Sequence, residues 1–464
     1  MANGAVGQMH LPTINFIGET NLAVDVDLAT ETMDRIIGDE YSIPQTEGVN
    51  PASTNSRLHV NQLNLLSDAT KDDVKILFAD EEFAPIVDYT GENPVAYSPI
   101  YKYDVDYKVD ELDRLGYFFF NRSAGAGNPS DNFNPSVLAT PAAQQSGAQA
   151  TVTESVRFAF QHADTFTQIP LNIRMTMMDN RYAISEGTPS YQRPFHMQNK
   201  GVWVKPYTSF ESMSLKNGPE VDAITYGTLI GFDSDFHRFK KDWYGVTSVY
   251  AGYNGSLIDY ANVDTTMNGG MLGITETWYK KKFFTALTLT AGASAGSTST
   301  MYGHENFAML LGGIGSKTGY NFEFKDGKYI IQPVVFMNYT FVNTFDYTSA
   351  SGVSIDSDPL HGLQLNPSIR FIANCKNGWQ PYASVGMVWN VLNSSKVRAN
   401  DVLLPRMSIK PYVEYGLGLQ RTWAERFTAY GQAMVRNGGR NGVMLSGGMR
   451  WSLGEGEAID INDL

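Results

Sequence analysis

From residue 201 onward, apolar and polar side chains alternate in runs of ten residues or more. Met407 to Leu419 sets Met407, Ile409, Pro411, Val413, Tyr415, Leu417 and Leu419 on one face, against Ser408, Lys410, Tyr412, Glu414, Gly416 and Gly418 on the other. Val443 to Leu453 repeats the division, with Val443, Leu445, Met449, Trp451 and Leu453 opposing Met444, Ser446, Gly448, Arg450 and Ser452. Ile331–Phe341 and Trp379–Trp389 behave alike. A period of two marks β-strands with two unlike faces. Strands in soluble sandwiches average about 5 to 6 residues, whereas a tilted membrane crossing takes about 9 to 11, and these runs have the longer length. The polar face is rich in glycine and small residues, which suits a narrow lumen.

About twelve such segments follow one another, near 201–211, 221–233, 243–256, 265–280, 283–297, 306–321, 328–342, 361–373, 379–392, 405–420, 425–437 and 442–453. The number is even, as a bacterial membrane barrel requires. Lys325-Asp326-Gly327 and Lys376-Asn377-Gly378 have hairpin-turn chemistry, and the longer polar stretches Asp346–Pro359 and Asn393–Asp401 read as surface loops. Pro206, Pro333, Pro381 and Pro411 lie near the starts of their segments, where a missing ladder donor is tolerated. Alternation is poor across 221–256.

Upstream, Thr140-Pro141-Ala142-Ala143 reads as an N-cap with proline at the first helical position, opening a helix to about Asp164. Roughly 24 residues at 1.5 Å each give about 36 Å, the thickness of a bilayer core and more. Such a helix either threads a pore or packs outside a barrel through Val152, Val156, Phe158 and Phe160. Residues 165 to 200 form an unexplained connection. Residues 1–123 carry short strand-like runs, Thr13–Phe16, Leu22–Leu28, Leu58–Leu66, Val74–Phe78, Ile100–Val109 and Leu115–Asn121, ending at the glycine-rich break Ser123–Ser130.

Composition narrows the function. With 35 basic and 48 acidic residues the net charge is -13, which excludes general affinity for nucleic acid. Cys375 is the single cysteine, so no internal disulfide or thiolate metal site is expected. The seven histidines lack metal-ligand spacing, and no cofactor is expected. Mean hydropathy is -0.25 and no run approaches the ~20 apolar residues of a spanning helix. The 25 Tyr, 25 Phe and 7 Trp suit a barrel with aromatic girdles. Met1-Ala2-Asn3-Gly4 does not open a signal peptide, so the original start is expected upstream. Gly292-Ala293-Ser294-Ala295-Gly296 fits the nucleophile-elbow pattern, but its flanks read as strand where the chemistry needs a following helix. It is expected to be barrel wall, and the chain is expected not to be an enzyme.

The order and spacing of the segments over 201–453 resembles the autotransporter β-domain, with Gly201-Val202-Trp203-Val204-Lys205-Pro206-Tyr207, Gly327-Lys328-Tyr329-Ile330-Ile331-Gln332-Pro333 and Gly448-Met449-Arg450-Trp451-Ser452-Leu453 as its better markers. The resemblance implies an all-β chain: a 12-stranded transmembrane antiparallel β-barrel with a pore helix at about 140–164, preceded by a short β-helix-like passenger remnant. Its divisions are the passenger end (1–123), a linker with the helix (124–200), the barrel (201–453) and an acidic tail (454–464). It implies an outer-membrane monomer that exports its own passenger to the cell surface, with lipid and the barrel-assembly machinery as partners and no nucleic acid. Gln144, Gln145, Gln149, Glu154, Arg157 and His162 would face the lumen from the helix. Lys205, Glu211, Lys410, Glu414, Arg436 and Arg450 are the candidate luminal charges. Trp451 and Leu453 stand where the family carries its insertion signal, although Leu453 replaces the usual aromatic residue and an acidic tail follows. Some members cut their linker at an Asn-Asn pair; the helix here has none, so the passenger is expected to stay attached. A diffusion porin, or an adhesin whose barrel is only an anchor, are the alternative readings.

Overall fold

In a computed structural model, the described residues are all except 1–3, 12–18, 39–56, 82, 90–94, 124–126, 168–194, 197–199, 236, 241–242, 281, 326–327, 376–378, 424–426, 454–457 and 460–464. Two compact units emerge, one of residues 1–138 with 351–353, the other of 139–350 with 354–464.

The larger unit is a closed antiparallel barrel of twelve long strands: β1 (Gly201–Lys216), β2 (Glu220–Asp233), β3 (Trp243–Tyr260), β4 (Val263–Lys280), β5 (Phe283–Thr300), β6 (Gly303–Tyr320), β7 (Tyr329–Thr344), β8 (Leu360–Ala373), β9 (Trp379–Asn393), β10 (Tyr412–Trp423), β11 (Phe427–Gly438) and β12 (Arg440–Ser452). Each pairs with its neighbours in sequence, and β1 closes the ring against β12 with Gly201 opposite Ser452. The twelve segments expected from alternation are these strands. Alternation follows from the two solvents of the wall. Leu272, Leu289, Ile314, Val335 and Leu417 point outward and are exposed, whereas Thr275, Thr288, Gln332, Asn338 and Glu414 point inward and are buried.

One end of the barrel carries a ring of aromatic side chains at strand termini. Trp379 and Trp423, Trp423 and Phe427, and Phe427 and Trp451 have ring centroids 6.3, 5.4 and 5.3 Å apart. Aromatic rings favour the interface between headgroups and hydrocarbon, so this ring marks one membrane boundary. At the opposite end the turns are tight, with Ala261 and Asn262 both at positive φ (45° and 64°) between β3 and β4, or long. The two expected long loops fold together there: Tyr347–Thr348, Ser354–Asp358, Lys396–Ala399 and Val402–Leu403 make a four-stranded antiparallel sheet. The turns at 326–327 and 376–378 lie outside the described residues.

Alternation misleads at one place. Met407 and Ile409 are buried, as are Tyr412 and Glu414, so the inward face changes parity around Lys410-Pro411. Ser408–Ile409 is a separate short strand on β1, and β10 begins only at Tyr412. Pro411 supplies no ladder donor, and the chain breaks there.

The lumen holds a helix, α1, running from Ala139 to Thr167 through a π-helical stretch at Ala143–Ala148. It begins one residue before the expected N-cap: Thr140 is already helical, and its hydroxyl meets Tyr347 Oη at 2.9 Å. The helix threads the pore, and the residues that outside packing would have used face the lumen wall. Phe158 stacks on Tyr207 at 4.7 Å, Phe160 meets Phe336 edge-on at 5.9 Å, and Val152 and Val156 are fully buried. Glycine permits this approach: a Cβ at Gly315 of β6 would lie 2.4 Å from Val156 Cγ1.

The smaller unit is built on two four-stranded sheets. In one, Glu19–Asp27, Arg57–Leu65 and Val87–Asp88 pair in parallel, and Thr32–Met33 joins the first antiparallel. In the other, Asp73–Ala79, Gly116–Arg122, Lys102–Val109 and Val95–Tyr97 pair antiparallel. Val24, Val26, Val60, Ile76, Phe118 and Phe120 share its core. Parallel pairing is what stacked coils require, and the second sheet departs from it. The expected run Thr13–Phe16 lies outside the described residues.

Candidate functional site

The barrel lumen is the site, and α1 is its occupant. At the end bearing the loop sheet, Gln144 donates through Nε2 to Thr344 Oγ1 (2.9 Å) and Ser357 Oγ (2.5 Å). Gln145 donates to the carbonyls of Asn393 (3.2 Å) and Met407 (3.0 Å). Gln149 is buried against Gly362, whose added Cβ would meet its Nε2 at 2.6 Å. Carboxamides can bond to backbone and hydroxyls without bringing charge into the wall, which explains glutamine at a crowded lumen.

Midway along the helix the charges gather. Glu154 Oε1 lies 2.6 Å from Arg436 Nη2 and 3.5 Å from Arg440 Nη1. Arg436 Nη1 reaches Glu211 Oε1 at 2.9 Å, and Arg440 Nη2 is paired with Glu211 Oε2. Arg157 Nη1 meets Glu414 Oε2 at 2.6 Å, and Asn366 donates to Glu414 Oε1 at 2.5 Å. Arg436 Nε stands 3.5 Å from Glu414, which joins the two halves of the network. Three carboxylates thus face three guanidiniums, with Glu154 and Arg157 supplied by the helix and the other four by β1, β10, β11 and β12. Glu154, Glu211 and Arg436 have no exposed side-chain surface in this network. Charges so buried are tolerable only in pairs, because the interior does not hydrate them.

Beyond the network, Lys205 Nζ donates to the helix carbonyl of Phe158 at 2.8 Å, and Ser155 Oγ meets Tyr207 Oη at 3.2 Å. Arg450 donates to Asp233 Oδ2 (2.9 Å), whose Oδ1 receives Trp203 Nε1 (2.9 Å) and Ser248 Oγ (2.8 Å). Lys410 is placed apart from the lumen: it is exposed and bonds to Ser214 Oγ at 3.0 Å. The side chain of His162 lies outside the described residues. Trp451 is an outward rim aromatic and Leu453 is exposed just beyond β12. Asp233, Asn366 and Arg440 were missed by sequence reasoning. Arg440 has the same parity as Arg450 on β12, so extending that alternation backwards past Gly442 would have found it.

Ser294, the serine of the elbow-like motif, is in the middle of the continuous strand β5 and donates to the Asn268 carbonyl at 3.1 Å. Among the described residues, no group of His, Cys, Asp and Glu is arranged to hold a metal ion.

A lipid-facing barrel with its lumen filled by a helix of the same chain defines a plugged membrane β-barrel. The sequence pattern of the autotransporter beta-domain matches residues 202–433. The chain belongs to the autotransporter family, and its barrel is an outer-membrane translocator. In structure it is similar to the beta domain of the Bordetella autotransporter BrkA (16% identity, 55% of this chain and 99% of that one, TM-score 0.47). It is also similar to the transport unit of AIDA-I from Escherichia coli (14%, 62% and 99%, TM-score 0.48) and to the translocator domain of NalP from Neisseria meningitidis (11%, 65% and 99%, TM-score 0.45). Comparison with curated protein sequences finds no match.

Proposed function

We propose that this barrel exports residues 1–123 as its own passenger and keeps them anchored at the cell surface. The observation that carries the reading is the threading of the lumen. The start of α1 is tied to Tyr347 and Ser357 at the loop-bearing end, and Lys205, near the opposite end of β1, holds the carbonyl of Phe158 further along the helix. A chain laid through the lumen in this direction enters it at the loop-bearing end, the end from which a passenger would emerge. The barrel acts as a monomer in lipid, inserted by the barrel-assembly machinery. The parallel ladder of the smaller unit supports a β-helix-like passenger end. Catalysis forms no part of this reading.

Protease added to intact cells tests it. Export predicts cleavage within residues 1–123 while the barrel stays protected. Protection of 1–123 on intact cells, with cleavage only after the outer membrane is opened, would end the proposal. Large conductance from the full-length protein in planar bilayers would favour a diffusion porin instead.

A further inference from the structure

The outer wall is uneven on one side. Across β5 to β10 an apolar groove of about 590 Å³ lies among Phe283, Pro333, Val335, Pro367, Ile369 and Val385 on the outward face. Beside it, a second apolar groove of about 550 Å³ runs past Phe324, Tyr329, Ile331, Pro381 and Leu417. Both volumes fall in the range of about 300–1,000 Å³ typical of small-molecule sites. Both open onto the face that the strand pattern gives to lipid.

The rim above these grooves is basic. Lys282 directly precedes Phe283 of the first groove, and Lys325 and Lys328 stand between Phe324 and Tyr329 of the second in sequence. Among the described residues, Lys280, Lys282, Lys325 and Lys328 stand at this end of the strands against Glu323. Lys325 and Lys328 place their Nζ atoms 5.7 and 5.5 Å from the Tyr329 ring centre, and Lys282 lies 3.6 Å from Glu323. Lysines at the edge of an apolar surface keep their ammonium groups at headgroup level, where they attract phosphate.

We propose that the two grooves and this lysine rim form a binding site for one anionic phospholipid, an acyl chain in each groove and the phosphate against Lys325 and Lys328. The paired grooves match a two-chain lipid, and the excess of lysine matches its headgroup charge. A recessed surface with a cationic rim would hold its lipid while the surrounding lipid exchanges.

The test is native mass spectrometry of the full-length protein in detergent, titrated with phosphatidylglycerol, phosphatidylcholine or lipopolysaccharide. The wild type is expected to retain one phosphatidylglycerol in preference to the other two. The double variant Lys325→Gln/Lys328→Gln should lose about tenfold in that retention. Val385→Trp should lower retention of any two-chain lipid by filling the first groove, whereas Leu272→Trp, exposed on β4 and not part of either groove, should change nothing. Heat-modifiable migration on gels confirms that each variant forms a barrel. Equal retention of phosphatidylglycerol and phosphatidylcholine, unchanged retention in the double variant, or preference for lipopolysaccharide would each overturn the proposal.

Discussion

Arg436 of β11 sits 2.6 Å from Glu154 of the lumen helix, and neither side chain has any exposed surface. The same guanidinium touches Glu211 at 2.9 Å and Glu414 at 3.5 Å. One barrel residue therefore contacts the helix carboxylate and both wall carboxylates of the network.

Replacing Glu154 by Gln should loosen the helix without preventing closure of the barrel. It keeps the shape but removes one of the two carboxylates shared by Arg436 and Arg440, and breaking a buried ion pair on one side costs about 3–5 kcal/mol. Single-channel recordings are expected to show longer and more frequent open events than in the wild type. Unchanged closure would mean that the helix is held elsewhere.

Arg436→Met should do more than Lys205→Met. Arg436 neutralises three carboxylates, whereas Lys205 satisfies one helix carbonyl, a bond whose loss costs on the order of 1.5–3 kcal/mol. The urea midpoint of helix release, followed by protease access to the helix, should fall further for Arg436→Met.

Gly315→Leu should expel the helix by sterics alone. Even a Cβ there would lie 2.4 Å from Val156 Cγ1 and 2.9 Å from Phe160 Cε2. The expected product is a folded, heat-modifiable barrel of high conductance. Pairing it with Val156→Ala should restore part of the closure, an outcome that a simple folding defect would not give.

Acid should weaken the smaller unit through Asp27. Its carboxylate accepts from Ser67 and from the backbone of Ala29 (3.1 Å) and Thr30 (3.3 Å), and the Ser67 bond is the main cause holding its pKa below the ordinary 3.8. A depressed carboxylate stabilises the fold above its unfolded pKa, and that contribution is lost as pH falls through the lower folded value. Thermal unfolding of residues 1–138 should therefore fall in temperature below about pH 4, and less steeply in Ser67→Ala. Parallel curves for the two proteins would refute this role.

The barrel was legible because each strand faces two solvents. Ile331 to Phe341 needs only the rule that alternate residues meet lipid, and the structure follows it residue by residue, with Val335 outward and Asn338 inward. The rule fails where the chain leaves the ladder. At Lys410-Pro411 the strand breaks, parity shifts, and Lys410 lies in the open while Glu414, four residues later, is buried. The lumen was less legible than the wall. Alternation says that Glu211, Glu414 and Arg436 point inward, but their pairing depends on the register of the adjacent strands β10, β11, β12 and β1 and on closure of the ring, which brings residues more than 200 apart in sequence together. Asp233 was overlooked although β2 alternates cleanly, because β3 beside it has Tyr250 inward and Tyr253 outward and blurs the pattern over 221–256. The π-helical stretch at Ala143–Ala148 has no signature in a pattern read at 3.6 residues per turn.

The helix brings one acid and one base to the network, and the wall brings two of each. Take the helix away and Glu211, Glu414, Arg436 and Arg440 still sum to zero. The acids and bases that the wall gives to this network are thus matched in number whether or not the helix is in place. Lys317 and Arg370 line the same cavity as Arg157 and Glu414, so the wall beside this balanced network is cationic.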